Sequence, residues 1–132
     1  MKKIAVIISL IVVLLSIGGM NTAAYRIGFK NVFYHSSPYD FTPKARKYSK
    51  SSYGIYTSSL KSKGDIYMWP RANRQGVNAG YDKKQRLGGQ TLPNYAVENY
   101  GYGCSVDIEF KLRTWFWDRS RSTASGSWQP DI

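Results

Sequence analysis

The sequence contains few of the side chains on which enzymatic and metal-binding chemistry depends. Among its 132 residues there is one cysteine, Cys104, and one histidine, His35. These are too few for a zinc site, which needs several Cys or His ligands, and a single cysteine permits no internal disulfide. The chain also has neither a D-x-D-x-D-G calcium loop nor a glycine-rich phosphate loop. We therefore expect no metal and no cofactor.

Candidate catalytic groups are equally scarce. A Ser-His-Asp or Cys-His arrangement would have to use His35, which has no supporting neighbour in the sequence. Cys104 is better explained as a small buried side chain at the start of a strand. Asp107 and Glu109 share a strand face with two cations, which favours a solvated ladder of cross-strand ion pairs. The sequence thus favours a protein without enzymatic activity.

The first residues have the layout of a secretory signal peptide. Lys2 and Lys3 precede an uncharged apolar run over 4–17, and small residues lead up to Ala24. This layout predicts cleavage after Ala24, and the apolar run is shorter than a spanning helix needs. We expect a signal peptide over 1–24 and a single secreted β domain over 25–132.

The chain has 19 Lys and Arg residues against 8 Asp and Glu residues, and this excess of positive charge favours an anionic partner. The formal net charge is +11, and removal of Lys2 and Lys3 leaves +9. A secreted protein this basic is drawn to anionic polymers or anionic lipid surfaces. We expect an anionic cell-wall polymer or a membrane surface as the partner, with or without retention at the wall. Nucleic acid is not expected, because it lies in another compartment.

Helix-period apolar stripes are absent after residue 24, whereas strand-like alternation is clear. Residues 106–113 place Val, Ile, Phe and Leu on one face and charged residues on the other, which is typical of a half-buried antiparallel strand. Residues 53–60 and 65–69 are further strands, the second stopped by Pro70, and 123–128 can return beside the long strand. These features predict a mostly β fold, either a small antiparallel sandwich or a partly open barrel.

Two groups of residues are candidate contact sites. The segment 36–52 is a basic, Pro- and Ser-rich loop or exposed edge. With the cations that follow, it predicts an anion-binding surface, although a solvated, mobile basic loop is the alternative. That surface would comprise Lys44, Arg46, Lys47, Lys50, Lys61 and Lys63. Trp115 and Trp117 continue the polar face of the long strand, which predicts an outward aromatic contact, unless a second layer covers them.

The C-terminus carries a resemblance. Residues 125–131 read Ser-Gly-Ser-Trp-Gln-Pro-Asp and follow the long alternating strand. This tail, with the signal peptide and the size, resembles a family of small exported Gram-positive proteins of unknown function that close in Ser-Gly-x-Trp-x-Pro-Asp. It is also similar to the β-rich bacteriocins of the lactococcin 972 type. The resemblance implies no catalytic residues, and it implies that Trp128 and Asp131 close the fold.

These observations lead to three hypotheses of function. The first is a secreted, basic, non-enzymatic protein that acts at the cell envelope in the manner of a bacteriocin. The second is a secreted wall-binding module or an inhibitor of an unidentified protein partner. The third is a small wall hydrolase, because paired carboxylates meet only in the fold.

Overall fold

The computed structural model describes residues 26–114 and 119–132, which form ten strands and one short helix. In chain order these are β1 Ile27–Phe33, β2 Tyr39–Phe41, β3 Ala45–Lys47, β4 Tyr53–Lys61, β5 Asp65–Ala72, β6 Gln75–Gly76, β7 Lys83–Lys84, β8 Gly88–Leu92, α1 Ala96–Tyr100, β9 Cys104–Arg113 and β10 Ser122–Gln129. No helix in these ranges has the length and apolar character needed to span a bilayer.

The strands form two antiparallel sheets that do not close into a barrel. The first sheet has the strand order β1-β10-β4-β8. The second has the order β2-β9-β5-β6, with β3 also paired to β9 and β7 also paired to β5. The predicted mostly β fold, given as an antiparallel sandwich or a partly open barrel, is confirmed.

The core lies between the sheets, and β9 is the central strand of the second sheet. Its apolar residues Val106, Ile108, Phe110 and Leu112 are all buried, as the alternation predicts. Phe110 stacks on Phe29 of the first sheet with 5.6 Å between ring centroids. Contacts of this kind bury the apolar face of each sheet against the other.

The strand β10 does not return beside β9. It pairs instead with β1 and β4 in the first sheet. The physical reason is that both edges of β9 are occupied, one by β5 and the other by β2 and β3. The chain after β9 therefore crosses to the other sheet, where it places the fully buried Trp128 against Tyr53 with 5.5 Å between ring centroids.

The predicted stop of the second strand at Pro70 is wrong. Strand β5 runs through Pro70 to Ala72. Pro70 is opposite Ile108, and the backbone of Ile108 bonds to Thr42 on its other side. The proline nitrogen therefore faces away from β9, so the missing N–H removes no bond between β5 and β9. On that outer side the carbonyl of Pro70 accepts a hydrogen bond from the N–H of Val77.

The segment 36–52 follows one edge of β9 as two short strands. β2 pairs with residues 109–111 and β3 with residues 104–106. Between them, Thr42 continues the edge, since its backbone N–H donates to the carbonyl of Ile108 and its hydroxyl accepts from the Ile108 N–H. Of the two forms predicted for this segment, the structure shows the exposed edge.

Candidate functional site

The cations predicted to form one anion-binding surface do not lie together. Lys44 and Arg46 flank the start of β9, while Lys61 and Lys63 flank the β4–β5 turn near its end. Along the strand these positions are separated by roughly 24 Å, at about 3.4 Å per residue. Lys50 is exposed in the loop after β3. The exposed members of the set therefore form at least two separate groups of charge.

Lys47 is not on the surface, and its assignment to an anion-binding surface is wrong. The residue is fully buried, and its Nζ lies 3.0 Å from Oδ1 of Asp131 and also donates to the carbonyl of Pro130. The Nζ is 5.2 Å from the ring centroid of Tyr53. The side chain of Lys47 points from β3 into the core, where its charge is paired with Asp131.

Asp131 gathers several donors besides Lys47. Its carboxylate accepts hydrogen bonds from the backbone N–H groups of Tyr48 and Ser49, at 3.0 and 3.1 Å, and from the Ser49 hydroxyl at 2.7 Å. Burial lowers the pKa of the Lys47 ammonium, and the bond to Asp131 opposes this shift. These contacts fasten the C-terminal tail to the loop after β3.

The tail motif has a further local requirement at Gly126. The register of β10 against β4 shifts between Ser125 and Gly126. At this bulge, a Cβ on Gly126 would overlap the backbone carbonyl oxygen of Tyr56. Only glycine fits so close an approach of two backbones.

The predicted aromatic contact at Trp115 and Trp117 lies outside the described residues. Another set of aromatic side chains faces outward from the second sheet. These residues, which we call the aromatic face, are Tyr39 and Phe41 of β2 with Tyr67 and Trp69 of β5. Tyr39 and Phe41 are 45% and 39% exposed, and Tyr67 and Trp69 are half-buried.

The register of three strands assembles the aromatic face. Lys111 of β9 lies between Tyr39 and Tyr67, because both pair with it across the sheet. Glu109 lies between Phe41 and Trp69 in the same way. Side chains two residues apart on a strand share a face, so the four rings and the charged residues of β9 form one outward surface.

The cations of this surface are engaged by rings. Lys111 lies 5.3 Å from the ring centroid of Tyr39, and Arg113 lies 4.6 Å from that of Tyr67. Arg71 lies 4.4 Å from the ring centroid of Phe41. Such contacts between cations and aromatic faces are attractive, and they hold the long side chains flat against the sheet.

Arg71 is also held by carboxylates. It donates two hydrogen bonds to Asp107, at 3.0 and 2.9 Å, and lies 3.9 Å from Glu109. The hydrogen bond to Asp107 raises the pKa of Arg71. The expected cross-strand pairing of this charged face is present, but the ladder is not solvated throughout, since Asp107 is buried.

The signal for the aromatic face was present in the sequence. Residues 65–72 alternate between Ile66, Met68, Pro70 and Ala72, which are buried, and residues that point outward. Ending the strand at Pro70 concealed this alternation. The prediction of one basic segment over 36–52 does not distinguish the outward aromatics of β2 from the cations around them. The sheet register, which no sequence pattern specifies, brings the two strands to either side of β9.

His35 and Cys104 each contact a neighbouring group of the fold. Nδ1 of His35 is 3.4 Å from the hydroxyl of Thr114. Cys104 begins β9 and is buried, with its Sγ 3.8 Å from the carbonyl oxygen of Ala96. Burial raises the pKa of its thiol, which disfavours the reactive thiolate. Within 26–114 and 119–132, no group of three or more His, Cys, Asp or Glu side chains is placed to hold a metal.

Comparison of the chain with protein-family models, with curated proteins and with solved structures found no match.

Proposed function

We propose that this is a secreted, non-enzymatic protein that binds an anionic surface of the cell envelope and acts there in the manner of a bacteriocin. The observation that carries the proposal is the scarcity of ion pairs. Among the Lys and Arg residues of the described chain, only Lys47, Arg71 and Lys84 form them. The other cations have no ion pair within the described residues, although Lys111 and Arg113 lie over aromatic rings. Such an excess of positive charge steers a protein toward anionic polymers.

The aromatic face supplies a second kind of contact. Its two most exposed rings, Tyr39 and Phe41, lie beside cations on a surface held by the sheet. Rings with a polar neighbour suit stacking on sugars or insertion at a membrane interface. Contacts of this kind depend less on ionic strength than contacts between exposed charges, which salt screens.

The carboxylates support a binding role over a hydrolytic one. A glycosidase needs two carboxyl groups that face a shared substrate. Asp107 and Asp131 are instead buried in ion pairs, and the exposed Asp65 pairs with Lys84 at 3.2 Å. Asp40 accepts hydrogen bonds from the backbone N–H groups of Val32 and Phe41. These acids stabilise the fold through contacts that a catalytic role would have to break.

A pelleting assay with purified cell wall and with anionic vesicles tests the binding. We expect the bound fraction to fall steeply as salt is raised from low to physiological ionic strength, where charges are screened over about 8 Å. Tyr39→Ala combined with Phe41→Ala should lower the affinity that remains at high salt. Binding that ignores salt would remove the basis of the proposal.

A matched control comes from exposed tyrosines elsewhere. Tyr48 and Tyr81 are 60% and 95% exposed, and neither belongs to the aromatic face. Tyr48→Ala combined with Tyr81→Ala removes as many rings and should leave the affinity at high salt unchanged. An equal loss in both double variants would assign the effect to general surface hydrophobicity.

A growth-inhibition assay tests the bacteriocin-like part of the proposal. Added protein should slow the growth of cells whose envelope it binds, and the loss of binding should abolish the effect. Binding without inhibition would favour the wall-binding or inhibitor module, and clearing of a peptidoglycan suspension would favour a hydrolase.

A further inference from the structure

The outer face of the first sheet contains a concave pocket of about 460 Å³. Gly54 of β4 and Gly89 of β8 line it, where these two strands pair. A Cβ on Gly89 would have no atom within 4 Å, so the missing side chain leaves open space. The volume falls in the range of small-molecule sites, about 300–1,000 Å³.

Three cations from two segments of the chain surround this space. They are Arg26 before β1, Lys83 of β7 and Arg86 after β7. Within the described chain, no acidic residue lines the pocket and none of the three cations forms an ion pair. Their neighbour Lys84, in contrast, is paired with Asp65. The pocket therefore concentrates uncompensated positive charge.

Gln129 adds a polar group of a different kind. The residue is 7% exposed and lines the pocket. Its side chain lies beside Gly54, where a Cβ would be 3.3 Å from Cγ of Gln129. The amide oxygen of Gln129 has no hydrogen-bond partner in the part of the chain that the structure describes. A buried acceptor without a partner is destabilising. The oxygen is enclosed by the chain, so a rotation of the amide toward the pocket would let a ligand that donates a hydrogen bond satisfy it.

We propose that this site, the cationic pocket formed by Arg26, Lys83, Arg86, Gln129, Gly54 and Gly89, binds a polyol phosphate. Three cations around one space favour an anion, and phosphate groups are anions that Arg and Lys side chains commonly bind. The amide of Gln129 matches an adjacent hydroxyl, because a phosphate oxygen cannot donate to an acceptor once it is ionised. The ligand class is thus a phosphate that carries a neighbouring hydroxyl.

A titration with soluble probes tests the pocket without any wall or membrane, so its result is separate from that of the envelope proposal. We expect glycerol 3-phosphate to shift the backbone amide NMR signals of 54, 89 and 129. Methyl phosphate, which carries the same ester phosphate but no hydroxyl on carbon, should bind the same site roughly tenfold more weakly. Glycerol alone should not bind.

Filling the pocket should abolish the binding. Gly89→Val places a side chain in the open space without strain, since only residues with positive φ would resist it and Gly89 is not among them. Gly28→Val is the matched control, because Gly28 lies on the same sheet outside the pocket and has room for a Cβ. Unchanged binding by Gly89→Val would overturn the location.

The charges and the amide have separate tests. Arg26→Gln, Lys83→Gln and Arg86→Gln together should abolish binding of both phosphates, whereas the triple Lys44→Gln, Lys50→Gln, Lys61→Gln changes net charge equally and should not. Gln129→Met should leave phosphate binding intact and remove the preference for glycerol 3-phosphate. If the preference survives this change, Gln129 is only structural and the hydroxyl assignment is wrong.

The natural source of the ligand is either a phosphate-containing wall polymer or a lipid headgroup. Glycerol 3-phosphate should compete with whichever source applies. Competition on walls, lost after their phosphodiester-linked polymers are removed, identifies the polymer. Competition on phosphatidylglycerol vesicles, and not on walls, identifies the lipid. Competition on neither would overturn a role for the pocket in recognising such a phosphate.

Discussion

The two sheets present outer faces of opposite character to solvent. On the second sheet, Arg71 is held by Asp107, and Lys111 and Arg113 lie over aromatic rings. On the first sheet, Arg26, Lys83 and Arg86 surround a pocket without an acid and without an ion pair in the described chain. Both faces carry cations, yet only those of the first sheet lack a ring or a carboxylate as partner within the described chain. Whether a cation stabilises the fold or can bind a ligand therefore depends on its contacts, which the sequence alone does not show.

The largest expected difference between the two faces is the loss of stability when an ion pair beside the aromatic face is broken. Asp107→Ala would leave the guanidinium of Arg71, which is only 15% exposed, without its main partner. Breaking such a pair is costly, and we expect a loss of about 3 kcal/mol in the free energy of unfolding, measured by urea denaturation.

Asp82→Ala is the control for this loss. Asp82 is exposed and accepts one hydrogen bond, from Asn78 at 2.8 Å. Its removal should change stability by less than about 0.5 kcal/mol. If both variants lose the same amount, the Arg71–Asp107 pair has no special structural role and the contrast between the faces weakens.

An alkaline titration tests the contact between the two sheets at Tyr53, the buried first residue of β4. The hydroxyl of Tyr53 donates to the carbonyl oxygen of Arg71 at 2.8 Å, and burial raises the pKa of Tyr53. Above pH of about 10 the unfolded chain releases a proton that the folded protein retains. This residue's contribution to stability is therefore present below that pH and is lost above it, by up to about 1.4 kcal/mol per pH unit.

Tyr53→Phe should reduce stability by about 1 kcal/mol at neutral pH through the lost hydrogen bond. It should also make the alkaline loss of stability shallower than in the parent protein. The difference between slopes isolates Tyr53, because Lys47, whose pKa is lowered by burial, shifts stability in the opposite direction in both proteins. Parallel slopes would show that Tyr53 titrates normally in the fold.

The smallest expected effect belongs to the cationic pocket. Its triple variant Arg26→Gln, Lys83→Gln, Arg86→Gln should change the free energy of unfolding by less than about 0.5 kcal/mol, since no ion pair is broken. Urea denaturation at low and high salt measures this. A loss comparable to that of Asp107→Ala would mean that these cations hold the fold together and are not free for a ligand.

The sequence was sufficient for features that depend on local alternation. The buried residues of β9 and the position of Cys104 at its start follow from the period of two. The inward turn of Lys47 does not, because its acceptors at Pro130 and Asp131 are more than 80 residues away in the chain. Burial of a lysine depends on such long-range partners, which composition does not reveal.

The cationic pocket could not be predicted from the sequence for the same reason, since it also depends on long-range contacts. Arg26, the short segment with Lys83 and Arg86, and Gln129 are far apart in the sequence, so no local pattern indicates that they share a pocket. The pairing of β4 with β8 and β10 brings Gly89 and Gln129 to Gly54. Lys83 comes from β7, which pairs with β5 of the second sheet. The cations between Lys44 and Lys63 predicted one surface, but in the fold they lie apart, and the cationic pocket is formed by other residues.

Binding to purified wall or anionic vesicles across a range of salt concentrations tests the difference between the faces most directly. The slope of log affinity against log salt reports the number of charge contacts. We expect the pocket triple variant to reduce the slope by roughly two units. Tyr39→Ala with Phe41→Ala should keep the slope and lower the affinity at every salt concentration. The same change in slope from both variants, or none from the pocket variant, would contradict the division of the two faces.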